Sequence, residues 1–167
     1  AYQDVPPVSG FIQVNPLAGE PATEQTEIWI LFDGDNLYVS GRCFDSAPES
    51  RWVANEMRRD GSGLGEFVGI VLDTFYDRRN AVELVVNPLG GRMDGQITNE
   101  RAWNGDWNPV WDVRVGRFEG GWTFEAEIPF KSLRYHPGST QTWGFNVERR
   151  VAWKNEYSTL TRLPAAR

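Results

Sequence analysis

Two blocks of this chain carry the residue types that could do chemistry. The first runs from Arg58-Arg-Asp60 through Glu66 to Asp73-Thr-Phe-Tyr-Asp77-Arg78-Arg79, and it sets both signs of charge around an apolar stretch. Charges so spaced can form an ion-pair network, hold a hard cation or grip a polar ligand. Calcium needs about six to eight oxygen ligands in flexible geometry. Asp60, Glu66, Asp73 and Asp77 are the candidate metal ligands, with carbonyls of the glycine-rich 61–65 segment adding more. The arginines at 58, 59, 78 and 79 would repel a cation if they turned inward, so pairing with those acids is the competing arrangement. The alternating acids of a calcium helix-loop-helix are absent.

The second block is Trp103-Asn-Gly-Asp-Trp107-Asn108. An indole offers a flat apolar platform, and Asn or Asp beside it offers planar groups that pair with neighbouring hydroxyls. Trp103, Trp107 and Trp52 fall outside the regular strand pattern and are the candidate stacking residues; Arg58, Arg78, Asn87 and Glu148 are the candidate polar partners. The alternative is a turn pinned by tryptophans and a surface of ion pairs. Catalytic signatures are lacking. His136, the lone histidine, lies in a Tyr-His-Pro-Gly turn, where it is expected to cap a short helix. No Gly-x-Ser-x-Gly elbow occurs, and Gly61-Ser-Gly-Leu-Gly65 is too loose for a phosphate cradle. Asp73 and Asp77 could serve glycoside hydrolysis, but acid pairs arise readily in a chain with 23 Asp and Glu.

The elements that position these blocks read as strands. Period-2 alternation recurs over 26–33, 36–45, 66–73, 81–87, 110–118, 122–128 and 142–153. Seven such runs separated by turn residues predict an all-β fold, an antiparallel β-sandwich. Asp33-Gly-Asp-Asn36 and Phe118-Glu-Gly-Gly121 read as hairpin turns. Only 130–135 looks helical, and Pro129 and Pro137 confine it to a turn or two. Alternation also sorts faces: Trp143, Phe145, Val147 and Val151 share one side of the last long strand, while Asn146, Glu148 and Arg150 share the other. Trp122, Phe124, Ala126 and Ile128 form a second apolar face, and Trp111, Val113 and Val115 belong with them. Two long connections, 46–65 and 89–109, remain, and connections of that length are expected to carry function.

Composition narrows the function classes. The 167 residues suit a single domain, 1–167, with one core. A net charge of −6 leaves no basic surplus for nucleic acid. No apolar run reaches the ~18–20 residues that cross a bilayer, and no charged-then-apolar leader opens the chain, so the domain is not itself expected to insert in a membrane. Cys43 stands alone, which excludes an internal disulfide, and its alternation with Leu37 and Val39 places it in the core.

Taken in order, Gly10-Phe-Ile-Gln13, Leu37-Tyr-Val39, Leu72-Asp-Thr-Phe-Tyr-Asp-Arg-Arg79, Val86-Asn-Pro88, Asp106-Trp-Asn-Pro-Val-Trp111, Ile128-Pro-Phe130 and Trp143-Gly144 give the chain a likeness over nearly its whole length. It resembles the family 9 carbohydrate-binding modules, in the version found at the N-terminal part of bacterial outer-membrane or secreted proteins ahead of a predicted β-barrel. The resemblance implies a jelly-roll-like sandwich, binding of cello- or xylo-oligosaccharides through tryptophans, bound calcium, export to the periplasm, cell surface or beyond, and a barrel in the same full-length protein as partner. The family's opening strand, with its Ile-Asp-Gly pattern, has no counterpart before Ala1, which would leave a sheet edge open. Glu66 stands where many members have Asp, and no sugar-stacking tryptophan of the family transfers by position. The leading expectation is a non-catalytic module of a larger exported protein that binds oligo- or polysaccharide. The alternative is a structural domain packing on a barrel or partner through Glu83, Asn87, Glu148 and Arg150, with a glycoside-hydrolase-associated or metal-binding domain as a minor third.

Overall fold

The computed structural model describes residues 4–52 and 65–163. Within them lie eleven strands: β1 (Ile12–Asn15), β2 (Thr26–Phe32), β3 (Asn36–Phe44), β4 (Phe67–Asp73), β5 (Ala81–Val86), β6 (Arg92–Thr98), β7 (Ala102–Asn104), β8 (Asp112–Phe118), β9 (Gly121–Pro129), β10 (Gly144–Val151) and β11 (Glu156–Thr159). The only helical pieces there are short 3-10 turns, at Glu49–Arg51, Phe130–Ser132 and Ala152–Lys154. One sheet has seven strands in the order β1-β11-β10-β4-β5-β6-β7, and the other has four in the order β2-β3-β9-β8. Every neighbouring pair is antiparallel. The result is the predicted sandwich.

All seven alternating segments are strands, and both predicted hairpin turns join neighbours, β2 to β3 and β8 to β9. The apolar residues of β9 face those of β4, β5 and β10, so Ile28, Val39, Trp122, Phe124 and Ile128 share one core with Val68, Ile70, Leu72, Leu84, Val86 and Val147. Packing there is tight enough to demand glycine: a Cβ on Gly41 would lie 2.4 Å from the Phe124 ring. Cys43 is buried as expected, and desolvation pushes its thiol up to about 12.

The 89–109 excursion is not a loop. It contains the β6–β7 hairpin, which alternation misses because β6 turns Arg92, Asp94 and Gln96 inward, level with Val86, Leu84 and Val82 of β5, and Met93 and Ile97 outward. Inward polarity is tolerated because it is paired: the Trp111 indole N–H donates to Asp94 Oδ2 at 2.9 Å, and Arg92 Nη1 donates to the Trp111 carbonyl at 2.6 Å. β11 hides for the same reason, with buried Glu156 accepting from the Thr23 amide at 3.0 Å and the Thr23 hydroxyl at 2.6 Å. β1 forms one edge of the large sheet against β11, and Val8 exchanges backbone hydrogen bonds of 2.8 Å with Ile28 at the β2 edge of the small one.

Arg149 shares its parity with Val147 and Val151 and is buried among them. It reaches from the large sheet to the small one, donating through Nη1 to the Gln25 carbonyl at 2.9 Å and Thr26 Oγ1 at 3.0 Å, and through Nη2 to the Phe44 carbonyl at 2.5 Å. Glu66 is buried next to it. Burial pushes its carboxyl up to about 7, against the Ala152 amide at 2.8 Å and the Arg149 charge, which pull the other way. This end of the sandwich is closed by polar bonds between layers.

Candidate functional site on the outer face of the large sheet

Antiparallel register decides which side chains meet on the face turned away from the core. Gly95 of β6 stands opposite Glu83 of β5, and Gly69 of β4 stands opposite Glu148 of β10. Both glycines are places where a side chain is missing under a larger one. A Cβ on Gly95 would lie 2.3, 2.5 and 2.6 Å from three carbons of the Trp103 indole, so that ring lies flat over the glycine backbone. Trp103 comes from β7, opposite Ile97, and remains 43% exposed. It is a platform open on one side.

A Cβ on Gly69 would lie 2.8 Å from Glu83 Oε1 and 3.6 Å from Glu148 Oε2. The gap left by this glycine is where the two carboxyls converge and hydrogen-bond to each other. Burial, then the neighbouring Glu148 charge, raises the Glu83 carboxyl well above the ordinary range, so Glu83 keeps its proton and donates it towards Glu148. Tyr157, opposite Arg150 on β11, joins them. Its hydroxyl is hydrogen-bonded to Glu148, and burial together with that carboxylate raises its pKa.

From the indole over β6 to Glu148 on β10 is three strand spacings, about 14 Å. The row runs from a flat apolar ring to a cluster of hydroxyl-pairing oxygens. It can stack one ring of a polyol and accept hydrogen bonds from its hydroxyls further along. The Glu148 carboxylate offers about four lone-pair sites, more than its bonds with Glu83 and Tyr157 occupy.

Three comparisons bear on this arrangement. No protein-family model matches the chain, and a search of curated proteins finds no match. Solved structures do match. A family 9 carbohydrate-binding module from Caldicellulosiruptor kristjanssonii in complex with cellotriose is similar over 95% of this chain and 72% of that one, at a TM-score of 0.61 and 15% identity. The same organism's module in complex with glucose matches over 95% and 74%, again at 0.61 and 15%. A Bacteroides uniformis structure, provisionally described as a carbohydrate-binding protein, matches over 95% and 79%, at a TM-score of 0.70 and 12% identity.

The fold is that of a family 9 carbohydrate-binding module.

On this family 9 fold the residues singled out from sequence are scattered. Trp103 and Glu148 come to one face, as described. Asn87 does not join them: it is buried just beyond β5, and its Oδ1 accepts the Leu89 and Gly91 amides at 2.9 Å each, pinning the β5–β6 turn. Trp107 is half-buried against the core. Trp52 also packs there, with its N–H directed to the Ala47 carbonyl at 3.3 Å and the Arg117 guanidinium 5.3 Å over its ring, so one face of that indole is already covered. Arg78 sits in the β4–β5 turn at a φ of 59°, with its guanidinium 5.6 Å over Tyr76. Arg58 and Asp60 lie outside the described residues.

The expected metal ligands do not converge. Glu66 precedes β4 and Asp73 ends it, seven residues and about 23 Å apart. Asp73 accepts the Asp77 and Arg78 amides at 3.2 and 2.7 Å, while Asp77 accepts the Arg79 and Asn80 amides at 2.8 Å each. These two acids build a turn. Among the described residues no group of three or more His, Cys, Asp or Glu could hold an ion. His136 lies past the Phe130–Ser132 turn rather than capping it, with its ring 4.9 Å from Phe75. Gly69, Gly95 and Tyr157 are the site residues that sequence reading passed over. A glycine inside a strand was the available signal for the first two.

Proposed function

We propose that this chain is a non-catalytic carbohydrate-binding module that holds a short oligosaccharide across the outer face of the large sheet. One sugar ring stacks on Trp103, and hydroxyls of the neighbouring units pair with Glu83, Glu148 and Tyr157. The observation that carries this reading is the indole laid flat over Gly95, two strands away from a carboxyl pair gathered over Gly69. The solved neighbours support it, because two of them hold cellotriose and glucose. The carboxyl geometry speaks against hydrolysis at this face. Glycosidases hold their two acids about 5 Å or more apart, on either side of the scissile bond, whereas Glu83 and Glu148 are hydrogen-bonded to each other.

Calorimetric titration with cellotriose tests the proposal. Saturable binding is expected, abolished or weakened at least tenfold in Trp103→Ala and in Glu148→Gln, with no release of chromophore from aryl glycosides. Binding that survives both substitutions in the folded variants would overturn the assignment of this face.

A further inference from the structure

A second concave surface lies at the opposite end of the sandwich from Arg149, where the β2–β3 turn meets the start of β10. A cavity of about 580 Å3 opens there, within the size range of small-molecule sites. Four aromatic rings line it, those of Phe32, Phe130, Tyr135 and Trp143, with Asp33 and Gln141 at its polar side. The rings are set steeply to one another. Phe130 meets Trp143 at 78° and 5.9 Å and Tyr135 at 74° and 6.5 Å, while Tyr135 and Trp143 are tilted by 49° at 5.5 Å. Phe32 is 77% exposed, an apolar ring held in solvent at the mouth. Rings at such angles make the corner of a box. They do not make the flat platform on which a pyranose stacks.

The polar groups narrow the ligand further. The Gln141 amide already donates to the His136 and Gly138 carbonyls at 2.8 and 3.1 Å and accepts the Trp143 indole N–H at 3.1 Å. No guanidinium or second amide lines the cavity, so nothing planar is left to pair with vicinal hydroxyls. Asp33 is different. Its Oδ1 accepts the Asp35 and Asn36 amides and its Oδ2 accepts the Tyr38 hydroxyl, all at 2.8 Å, which fixes a carboxylate in place beside the rings. No Lys, Arg or His stands among the lining residues to neutralise it. Aromatic faces present negative charge to a ligand, and a poorly hydrated cation is attracted to several of them at once.

We propose that this aromatic box binds a quaternary or methylated ammonium group, independently of the sugar face. The rounded apolar head fits between the rings, and its charge is balanced by Asp33. A primary ammonium is disfavoured, because it is a compact, strongly hydrated charge that gives up its water reluctantly to enter a corner of aromatic rings.

The test is a titration of the intact chain with choline, followed by the Trp143 indole N–H signal in heteronuclear NMR, assigned through Trp143→Phe. The control ligand is 3,3-dimethylbutan-1-ol, the uncharged isostere of choline. Saturable shifts with choline, at least fivefold weaker for the alcohol, are expected, with affinity falling at least threefold in Phe32→Ala and in Asp33→Asn. Phe32 is exposed and Asn at 33 keeps an oxygen for the turn amides, so both variants are expected to fold, which thermal melts check. The Trp103→Ala variant should bind choline like the parent chain, whatever it does to cellotriose. Equal affinity for the alcohol and choline, or no saturation up to 100 mM of either, would overturn the proposal.

Discussion

Replacing Gly95 with alanine adds one methyl group beneath Trp103 and leaves every aromatic and charged side chain of the site in place. That methyl would sit 2.3–2.6 Å from three indole carbons, against an ordinary carbon contact of about 3.5–4.0 Å. The ring must therefore lift by more than 1 Å or swing off the sheet. With 43% of its surface exposed, Trp103 covers on the order of 100–140 Å2 against the sheet, worth about 3 kcal/mol at 25 cal/mol per Å2. Losing a third to a half of that contact costs about 1–1.5 kcal/mol of stability. A sugar ring stacked on the free face covers roughly 50 Å2 more, or about 1.3 kcal/mol, which is close to tenfold in Kd. Denaturant melts and calorimetry with cellotriose read the two effects separately. Gly95→Ala should lower stability by about 1 kcal/mol and affinity about tenfold. Unchanged affinity, in a variant whose tryptophan emission shows the indole displaced, would refute the platform.

Three further outcomes follow from the geometry. Glu66 has a folded-state pKa raised from 4.5 to about 7, so the folded chain holds a proton that the unfolded chain gives up; its stabilising contribution is full below about pH 4.5 and is lost as pH rises through about 7. Glu66→Gln should remove up to about 3 kcal/mol of that decline, measured as urea midpoints between pH 4.5 and 8, and identical pH profiles for the two proteins would count against a protonated Glu66. Arg149→Leu removes the hydrogen bonds to the Gln25 and Phe44 carbonyls and the Thr26 hydroxyl and takes the cation from Glu66, so a loss of about 3–5 kcal/mol or failure to fold is expected, and a loss below 1 kcal/mol would contradict the stitching role. Asn87→Ala frees two turn amides and should cost about 1–2 kcal/mol while leaving cellotriose affinity unchanged; a selective loss of affinity would return Asn87 to the binding set.

The sandwich was legible because its central strands follow a strict apolar alternation, as in Trp122, Phe124, Ala126 and Ile128. β6 and β11 were not, since Asp94, Glu156 and Ser158 point inward and are satisfied by partners far along the chain, such as Trp111 and Thr23. Arg149 was passed over for the same reason: its neighbours Glu148 and Arg150 look equally charged, and only the carbonyls of Gln25 and Phe44 explain why it alone turns in. At the site, exposure of Trp103 followed from its place beyond the regular pattern, and Glu148 from its parity. Their meeting depends on register across β6, β5, β4 and β10, and the last of these pairings joins residues some seventy to eighty positions apart. Trp52 and Trp107 carry the same chemistry as Trp103, and only packing against the core separates them from it.

The most direct test of the central claim is to add cellotriose to isotope-labelled protein and map which backbone amides and which indole N–H signals move. Saturable shifts gathered at Trp103, Gly95, Glu83, Gly69 and Glu148 are the predicted result. Shifts confined to another surface, or a spectrum that stays still at saturating sugar, would contradict it.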